Sequence, residues 1–310
     1  MITSIYVAEH KECAQLKGNS FIPIHVGRRG KAPTFCELGD DTGDNISGKN
    51  DSFCELTALY WIWKNTKDQD YVGLFHYRRH LRFSTNEAYE DQWGLVQYER
   101  IDDRYIEDNN LTDSGVSYFI NDFDIILPKL WDVRNAGSIS LEDHYRKAPH
   151  QHISDYETAL QIIREKYPDY GKFIDTINRT SAGYFTNMFV MRREIYNKYC
   201  EWLFDVLFEL EKRIDISSYS TQERRIFGFI SEWLFNIFIS KLLADQPELK
   251  VKEAQRTFVI STTPATPSTA PEAHKQLDFL DALHSLKHAP RDIIRYARRK
   301  IRSISPGDTS

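Results

Sequence analysis

Short apolar runs alternate along this chain with longer stretches in which apolar residues recur every three to four positions. Residues 4–8, 21–26, 71–75, 123–127, 184–191 and 256–260 are the short runs, and each suits a strand buried on both faces. Phe53, Leu56, Tyr60 and Trp63 fall at helical spacing and predict a one-faced helix closed by Lys64 and Asn65. Ser52-Phe-Cys-Glu55 has the form of a capping box at its start, a role that accounts for Glu55 without any chemistry. Ser154-Asp-Tyr-Glu157 opens another helix in the same way; Tyr167-Pro168 ends it, and residues 169–179 continue after the break. Ile195, Tyr199, Trp202, Val206 and Leu210 form the inward stripe of a helix over residues 193–214. Residues 222–243 are apolar nearly all round after Ile226, which predicts a buried helix. Residues 85–114 are acidic and irregular and read as short surface helices. Residues 27–43, rich in Gly, Arg, Lys and Asp, read as a mobile flap or ligand loop. Strands alternating with helices predict an α/β domain with a mostly parallel sheet over residues 1–260.

The pattern stops there. Residues 261–275 are a Pro/Thr/Ser-rich linker, and residues 276–310 form a basic amphipathic tail. Arg291, Arg295, Arg298, Arg299, Lys300 and Arg302 alternate with Ile293, Ile294, Ile301 and Ile304, and only Asp292 opposes their charge. Such a segment adsorbs to an anionic membrane surface. The chain as a whole carries a net charge of −5, which argues against nucleic acid as a partner. Cys13, Cys36, Cys54 and Cys200 are scattered without CxxC or zinc spacing, as reduced thiols are. The first residues lack a basic leader region, and no uninterrupted apolar run reaches about 18 residues. The expectation is a cytoplasmic protein, peripheral on the inner face of the plasma membrane.

Candidate chemistry gathers after the strand at residues 71–75, where His76-Tyr77-Arg78-Arg79-His80 follows directly. In open α/β sheets ligands bind outside the carboxyl ends of strands. Guanidinium forks there match the oxygens of a diphosphate; the alternative is structural pairing with buried carboxylates. Asp44-Asn-Ile-Ser-Gly-Lys-Asn50 precedes a helix and lacks the P-loop pattern, so Asp44, Asn45, Lys49 and Asn50 are candidates for anion binding through a helix start and one mobile charge. Asp122-Phe-Asp124 is a DxD pair suited to a divalent ion, but it precedes its strand and reads as a structural loop. Asn187 sits in an apolar run and needs a partner or ligand. Glu232, within Ile-Ser-Glu-Trp-Leu-Phe and near Arg224 and Arg225, has the setting in which burial raises a carboxyl towards a general base. Asp143 and Asp155 are its rivals, and His144, His150 and His152 read as loop and cap residues.

The run from Asp44 to Asn65, followed by Asp70-Tyr-Val-Gly-Leu-Phe-His-Tyr-Arg-Arg79, resembles a bacterial family long catalogued as a domain of unknown function and found in capsule and O-antigen gene clusters. Residues 124–128, 187–191 and 225–232 match as well, so the resemblance spans roughly residues 3–245. It implies a GT-A-like glycosyltransferase with a Rossmann-type, mostly parallel sheet flanked by helices. It also implies a UDP-sugar donor, some members being similar to galactofuranosyltransferases, and a growing lipid-linked surface polysaccharide as acceptor. The wider GT-A group carries a metal-binding DxD where this chain has His76, Tyr77, Arg78 and Arg79. Fixed cations in place of that pair leave a Mn or Mg requirement open. The resemblance puts Asn187 among acceptor contacts and Glu232 at the inverting base, with the cations at residues 76–79 at the leaving diphosphate; Arg78 and Arg79 are the catalytic candidates there, and His76, Tyr77, His80, Arg224 and Arg225 are candidates for substrate binding from their own setting in the sequence. A non-catalytic nucleotide- or glycan-binding module and a glycan phosphotransferase are the other classes the same residues allow.

Overall fold

The computed structural model describes residues 1–32 and 35–263; the basic tail and all but the first residues of the linker lie outside the described residues. In chain order the first elements are β1 (Thr3–Glu9), β2 (Phe21–His25), α1 (Asn50–Phe53), α2 (Leu56–Asn65), β3 (Tyr71–His76) and β4 (Leu95–Tyr98). They are followed by α3 (Asp103–Asn109), α4 (Asp113–Ile120), β5 (Ile125–Pro128), β6 (Trp131–Asp132), α5 (Leu141–Lys147), α6 (Ile153–Lys166) and α7 (Gly171–Arg179). The last are β7 (Ala182–Gly183), β8 (Phe189–Arg192), α8 (Arg193–Arg213), α9 (Ile226–Asp245), β9 (Val251–Ala254) and β10 (Arg256–Val259).

Six strands form the central sheet in the order β2-β1-β3-β8-β5-β9. β1 is parallel to β2 and β3, β5 is parallel to β9, and β8 alone runs antiparallel to both its neighbours. Successive side chains point to opposite faces. Thus Tyr6, Ala8, Val72 and Leu74 pack with α2 and α5–α9 on one side, whereas Ile5, Val7, Tyr71 and Phe75 pack with α3 and α4 on the other. Two covered faces explain why these strands read as continuous apolar runs.

The reversal of β8 positions the site. Phe189 pairs with Leu74 and Arg192 with Tyr71, so the chain enters β8 beside the carboxyl end of β3. The α9 helix is apolar all round because it is surrounded: Ile226, Ile230, Leu234 and Ile237 are fully buried. By length and composition the segment Glu223–Asp245 could cross a membrane, but most of it is buried inside the protein, as in a core helix.

Several expectations change. Neither capping box forms. Ser52 lies inside α1, where its hydroxyl donates to the Lys49 carbonyl (3.2 Å), and Cys54 at φ 51° breaks the helix so that α2 starts afresh at Leu56. Ser154 lies in the first turn of α6, whose cap is His152 without a side-chain bond. The strand expected over residues 184–191 shrinks to β8; Thr186 (φ 81°) and Asn187 (φ 50°) form a left-handed turn before it. Thr85–Ser114 contains β4, and β10 pairs with β4 in a separate two-stranded sheet instead of joining the main one, whose edge is β9. The described ends of the loop over residues 27–43 are tied to each other. Asp40 accepts from the backbone N–H of Gly27 (2.8 Å) and Arg28 (3.1 Å), and Arg28 pairs with Asp41 (2.7 Å). Gly27 sits at φ 63° with the Asn50 side chain where a Cβ would stand, so only glycine fits.

Candidate active site

A cleft of about 740 Å³ opens at the carboxyl ends of β1 and β3. Three pieces of chain close around it: the β3 turn, the break between α1 and α2, and the left-handed turn before β8 together with the start of α9.

The β3 turn is tight. His76 and Arg79 exchange backbone hydrogen bonds (3.1 and 3.0 Å), which throws Tyr77, Arg78 and Arg79 outward at the strand end. The guanidiniums of Arg78 and Arg79 lie 5.2 and 5.4 Å from the Phe258 ring of β10, so an aromatic face holds both cations in place. Arg78 Nε is buried without a partner among the described residues. Among the described residues no ion pair involves Arg78, Arg79, Arg224, Arg225, Glu55 or Glu232. Structural pairing therefore does not account for the cations of this cleft.

Glu232 stands one and a half turns into α9 and lines the cleft. Its Oε2 accepts the Thr186 N–H (2.8 Å). Burial pushes its carboxyl up to about 7 and the charge of Glu55 adds to the rise, while the Thr186 N–H, Arg79 and Arg256 pull against it. The Thr186 carbonyl is bonded by His76 Nε2 (2.6 Å), which must carry the proton there. Burial lowers the pKa of His76, favouring a neutral ring. One residue, Thr186, thus connects His76 on β3 to the carboxylate on α9.

A second carboxylate faces the same space. After the helix break at Cys54, Glu55 stands at the N-cap position of α2 with no capping bond from its side chain, which lines the cleft. Its Oε1 accepts Asn187 Nδ2 (2.8 Å), which is shared with Ser231 Oγ (2.9 Å), while Asn187 Oδ1 is buried without a partner among the described residues. Of the five described non-glycine residues with positive φ, Cys54, Thr186 and Asn187 border this cleft. Backbone strain of this kind persists where surrounding structure enforces it, commonly at functional sites.

The structure brings together His76, Tyr77, Arg78, Arg79, Asn50, Arg224, Arg225 and Glu232 along the cleft, with Asn187 directly behind Glu55. Two of these are partly committed. Asn50 donates to the Cys54 carbonyl (2.8 Å), and Arg224 bonds the carbonyls of Tyr219 and Ser217 (3.0 and 3.1 Å). Four candidates lie elsewhere. Asp44 accepts from Tyr60 Oη (3.0 Å), and Asn45 donates to the Gly43 carbonyl (3.0 Å), so both close the turn before α1. Lys49 pairs with Glu211 on α8 (2.5 Å) over the rings of Phe53 and Phe208. His80 is fully buried against Tyr105 Oη (2.6 Å) on the opposite side of the sheet, and burial drops it to about 3. The anion site expected over residues 44–50 is therefore a polar turn.

Asp143 and Asp155, the rival bases, pair with Lys147 (2.7 Å) and Tyr219 Oη (2.8 Å) away from the cleft. Asp124 is held by Arg192 and the Lys250 N–H (2.8 Å) at the amino end of β5, as a structural loop residue would be. Among the described residues no three His, Cys, Asp or Glu side chains cluster as a metal site.

Two functional side chains escape a reading of the sequence. Glu55 is hidden by its fit to a capping box. Arg256 is buried, bonds the Trp93 carbonyl (2.9 Å) and lies near enough to Glu232 to lower its pKa, while burial brings the arginine down to about 10. Its signal was a cation at the head of a candidate strand, which needs a buried partner.

A family model described as Domain of unknown function (DUF4422) matches residues 4–243. A solved structure, the apo form of the WbbM bifunctional glycosyltransferase, is similar at 46% identity and a TM-score of 0.82, covering 88% of this chain and 48% of that one. The chain thus spans about half the length of that protein. No curated protein matches the chain. With this likeness and its mostly parallel sheet flanked by helices, the fold is the GT-A-like one that the resemblance implied.

Proposed function

This chain belongs to the family described as Domain of unknown function (DUF4422), and from that premise we propose that it is a glycosyltransferase of bacterial surface-polysaccharide synthesis. The donor is a UDP-sugar, with UDP-galactofuranose the first to test. The acceptor is a hydroxyl of a growing lipid-linked glycan, and transfer inverts the anomeric centre. One observation carries this reading: a carboxyl raised to about 7 faces fixed, ion-pair-free arginines across a single cleft.

The chemistry follows from that juxtaposition. Glu232 takes the proton of the acceptor hydroxyl as its oxygen attacks the anomeric carbon, and a base with a pKa near the working pH suits that step. The bond from the anomeric carbon to the diphosphate oxygen breaks with its electron pair. Arg78 and Arg79 receive the resulting charge, with Arg225 across the cleft. His76 anchors Thr186 through its carbonyl, and the N–H of the same residue holds Glu232. A divalent ion held at the end of β3 does not fit this donor set, because His76, Tyr77, Arg78 and Arg79 offer no carboxylate there. The sequence of the tail supports a working place on the anionic inner leaflet, where Arg291–Arg302 adsorb and lipid-linked acceptors stand.

The test is mass analysis of products from a panel of UDP-sugars with glycan acceptors. Added sugar is the expected result. Added phosphate would assign a phosphotransferase, and unchanged acceptors throughout would leave a binding module.

A further inference from the structure

Thr186 and Asn187 are adjacent in the chain, and each grips a different carboxylate. The Thr186 N–H holds Glu232 Oε2, and Asn187 Nδ2 holds Glu55 Oε1, both at 2.8 Å. Both residues sit at positive φ, a conformation that non-glycine residues adopt at a cost. Glu55 and Glu232 both line the same cleft, and the charge of Glu55 is felt by the Glu232 carboxyl, so this strained dipeptide holds two neighbouring carboxylates. Each keeps a second oxygen that no protein hydrogen bond takes among the described residues. Glu55 reaches this place through a third positive-φ residue, Cys54, which interrupts the helix immediately before it. Asn187 is itself 3% exposed, and its Oδ1 is an orphaned acceptor beside the pair.

Two adjacent acceptor groups suit two adjacent donors. Resting on the glycosyltransferase reading above, we propose that Glu55 holds the hydroxyl next to the one that Glu232 deprotonates, so that the cleft selects an acceptor sugar presenting a vicinal diol. Asn187 is the positioning residue: it fixes Glu55 and shares no proton with the substrate. The arrangement separates two roles that a single carboxylate would blur. Glu232 accepts a proton in the reaction, and Glu55 sets which hydroxyl Glu232 meets.

The experiment uses the full-length protein and the methyl glycoside of whichever acceptor sugar is extended in the donor panel, together with its analogues deoxygenated at each position beside the reacting hydroxyl. On the wild type, removing the held hydroxyl should lower kcat/KM roughly tenfold or more, as expected for one hydrogen bond to a charged group. On Glu55→Ala that penalty should vanish, because protein and ligand changes remove the same contact. In parallel, ¹³C-glutamate labelling follows the Glu232 carboxyl directly. Glu55→Gln removes a negative neighbour and should move its titration to lower pH, whereas Asn187→Ala should raise KM for the acceptor more than it lowers kcat. An undiminished deoxy penalty in Glu55→Ala, an absent penalty in the wild type, or an unmoved Glu232 titration in Glu55→Gln would overturn the proposal while leaving transfer itself intact. A wild type that extends no acceptor at all overturns the glycosyltransferase reading with it.

Discussion

Replacing Glu232 with glutamine should make the protein more stable at alkaline pH while sharply lowering its activity, and the size of the effect follows from the site. The Glu232 carboxyl is raised from 4.5 to about 7, chiefly by burial and secondarily by Glu55. In the unfolded chain the same group ionises near 4.5, so between these values the unfolded state releases a proton that the folded state keeps. Stability is therefore undiminished below about pH 4.5, falls as pH rises towards 7, and stays low above it. At about 1.4 kcal/mol per tenfold, the full span is about 3 kcal/mol. Glutamine keeps an oxygen for the Thr186 N–H but never ionises. Glu232→Gln should thus gain about 3 kcal/mol over the wild type at pH 8 and only about 1 kcal/mol at pH 5. Urea unfolding of both proteins at the two pH values measures this, with midpoints and slopes fitted separately. In the same preparations kcat should fall about 10²-fold or more, the usual scale for loss of a general base. Equal stability at pH 8, or a gain independent of pH, would refute the claim that Glu232 is held ionised against its environment at neutral pH.

Arg78→Ala and Arg79→Ala should each lower kcat/KM about a hundredfold or more with the fold intact, because fixed charges at the leaving group act mainly in the transition state. Normal turnover with unaltered UDP affinity in both would sink that role. Activity should persist in EDTA; complete loss restored by Mn or Mg would show a metal held by carboxylates of the cleft, with Glu55 the first to substitute. Full-length protein should bind anionic vesicles in a salt-sensitive way, at about 1 kcal/mol per basic residue near the surface. Truncation after Ile260 should abolish that binding and spare turnover of a short soluble acceptor, whereas equal binding by both proteins would reject the membrane role of the tail.

The cleft was legible in the sequence to an uneven degree. His76–Arg79 could be placed at a strand's carboxyl end from pattern alone, because an apolar run followed at once by cations admits few other arrangements. Glu232 and Asn187 stood out by the same logic, as polar groups in apolar surroundings that need partners. Lys49 and His80 misled for opposite reasons. Lys49 lies beside the site in sequence, but from the turn before α1 it points towards Glu211 and α8. His80 lies only four residues from His76, yet the turn at Tyr77–Arg79 carries it through to the other side of the sheet.

By itself the sequence determined the alternation of strands and helices, the buried character of β1, β3, β5 and α9, and the cationic end of β3. Each of these depends on local periodicity, which neighbouring residues specify. Only the tertiary structure decided that β8 runs against its neighbours, that Thr186 and Asn187 leave the strand in left-handed conformations, and that Cys54 breaks a helix to free Glu55. Those features are enforced by packing between segments more than 100 residues apart, such as the Asn187–Glu55 contact, which is separated by 132 positions. Local propensity favours the opposite outcome at each of them, so no short stretch of the sequence could announce it.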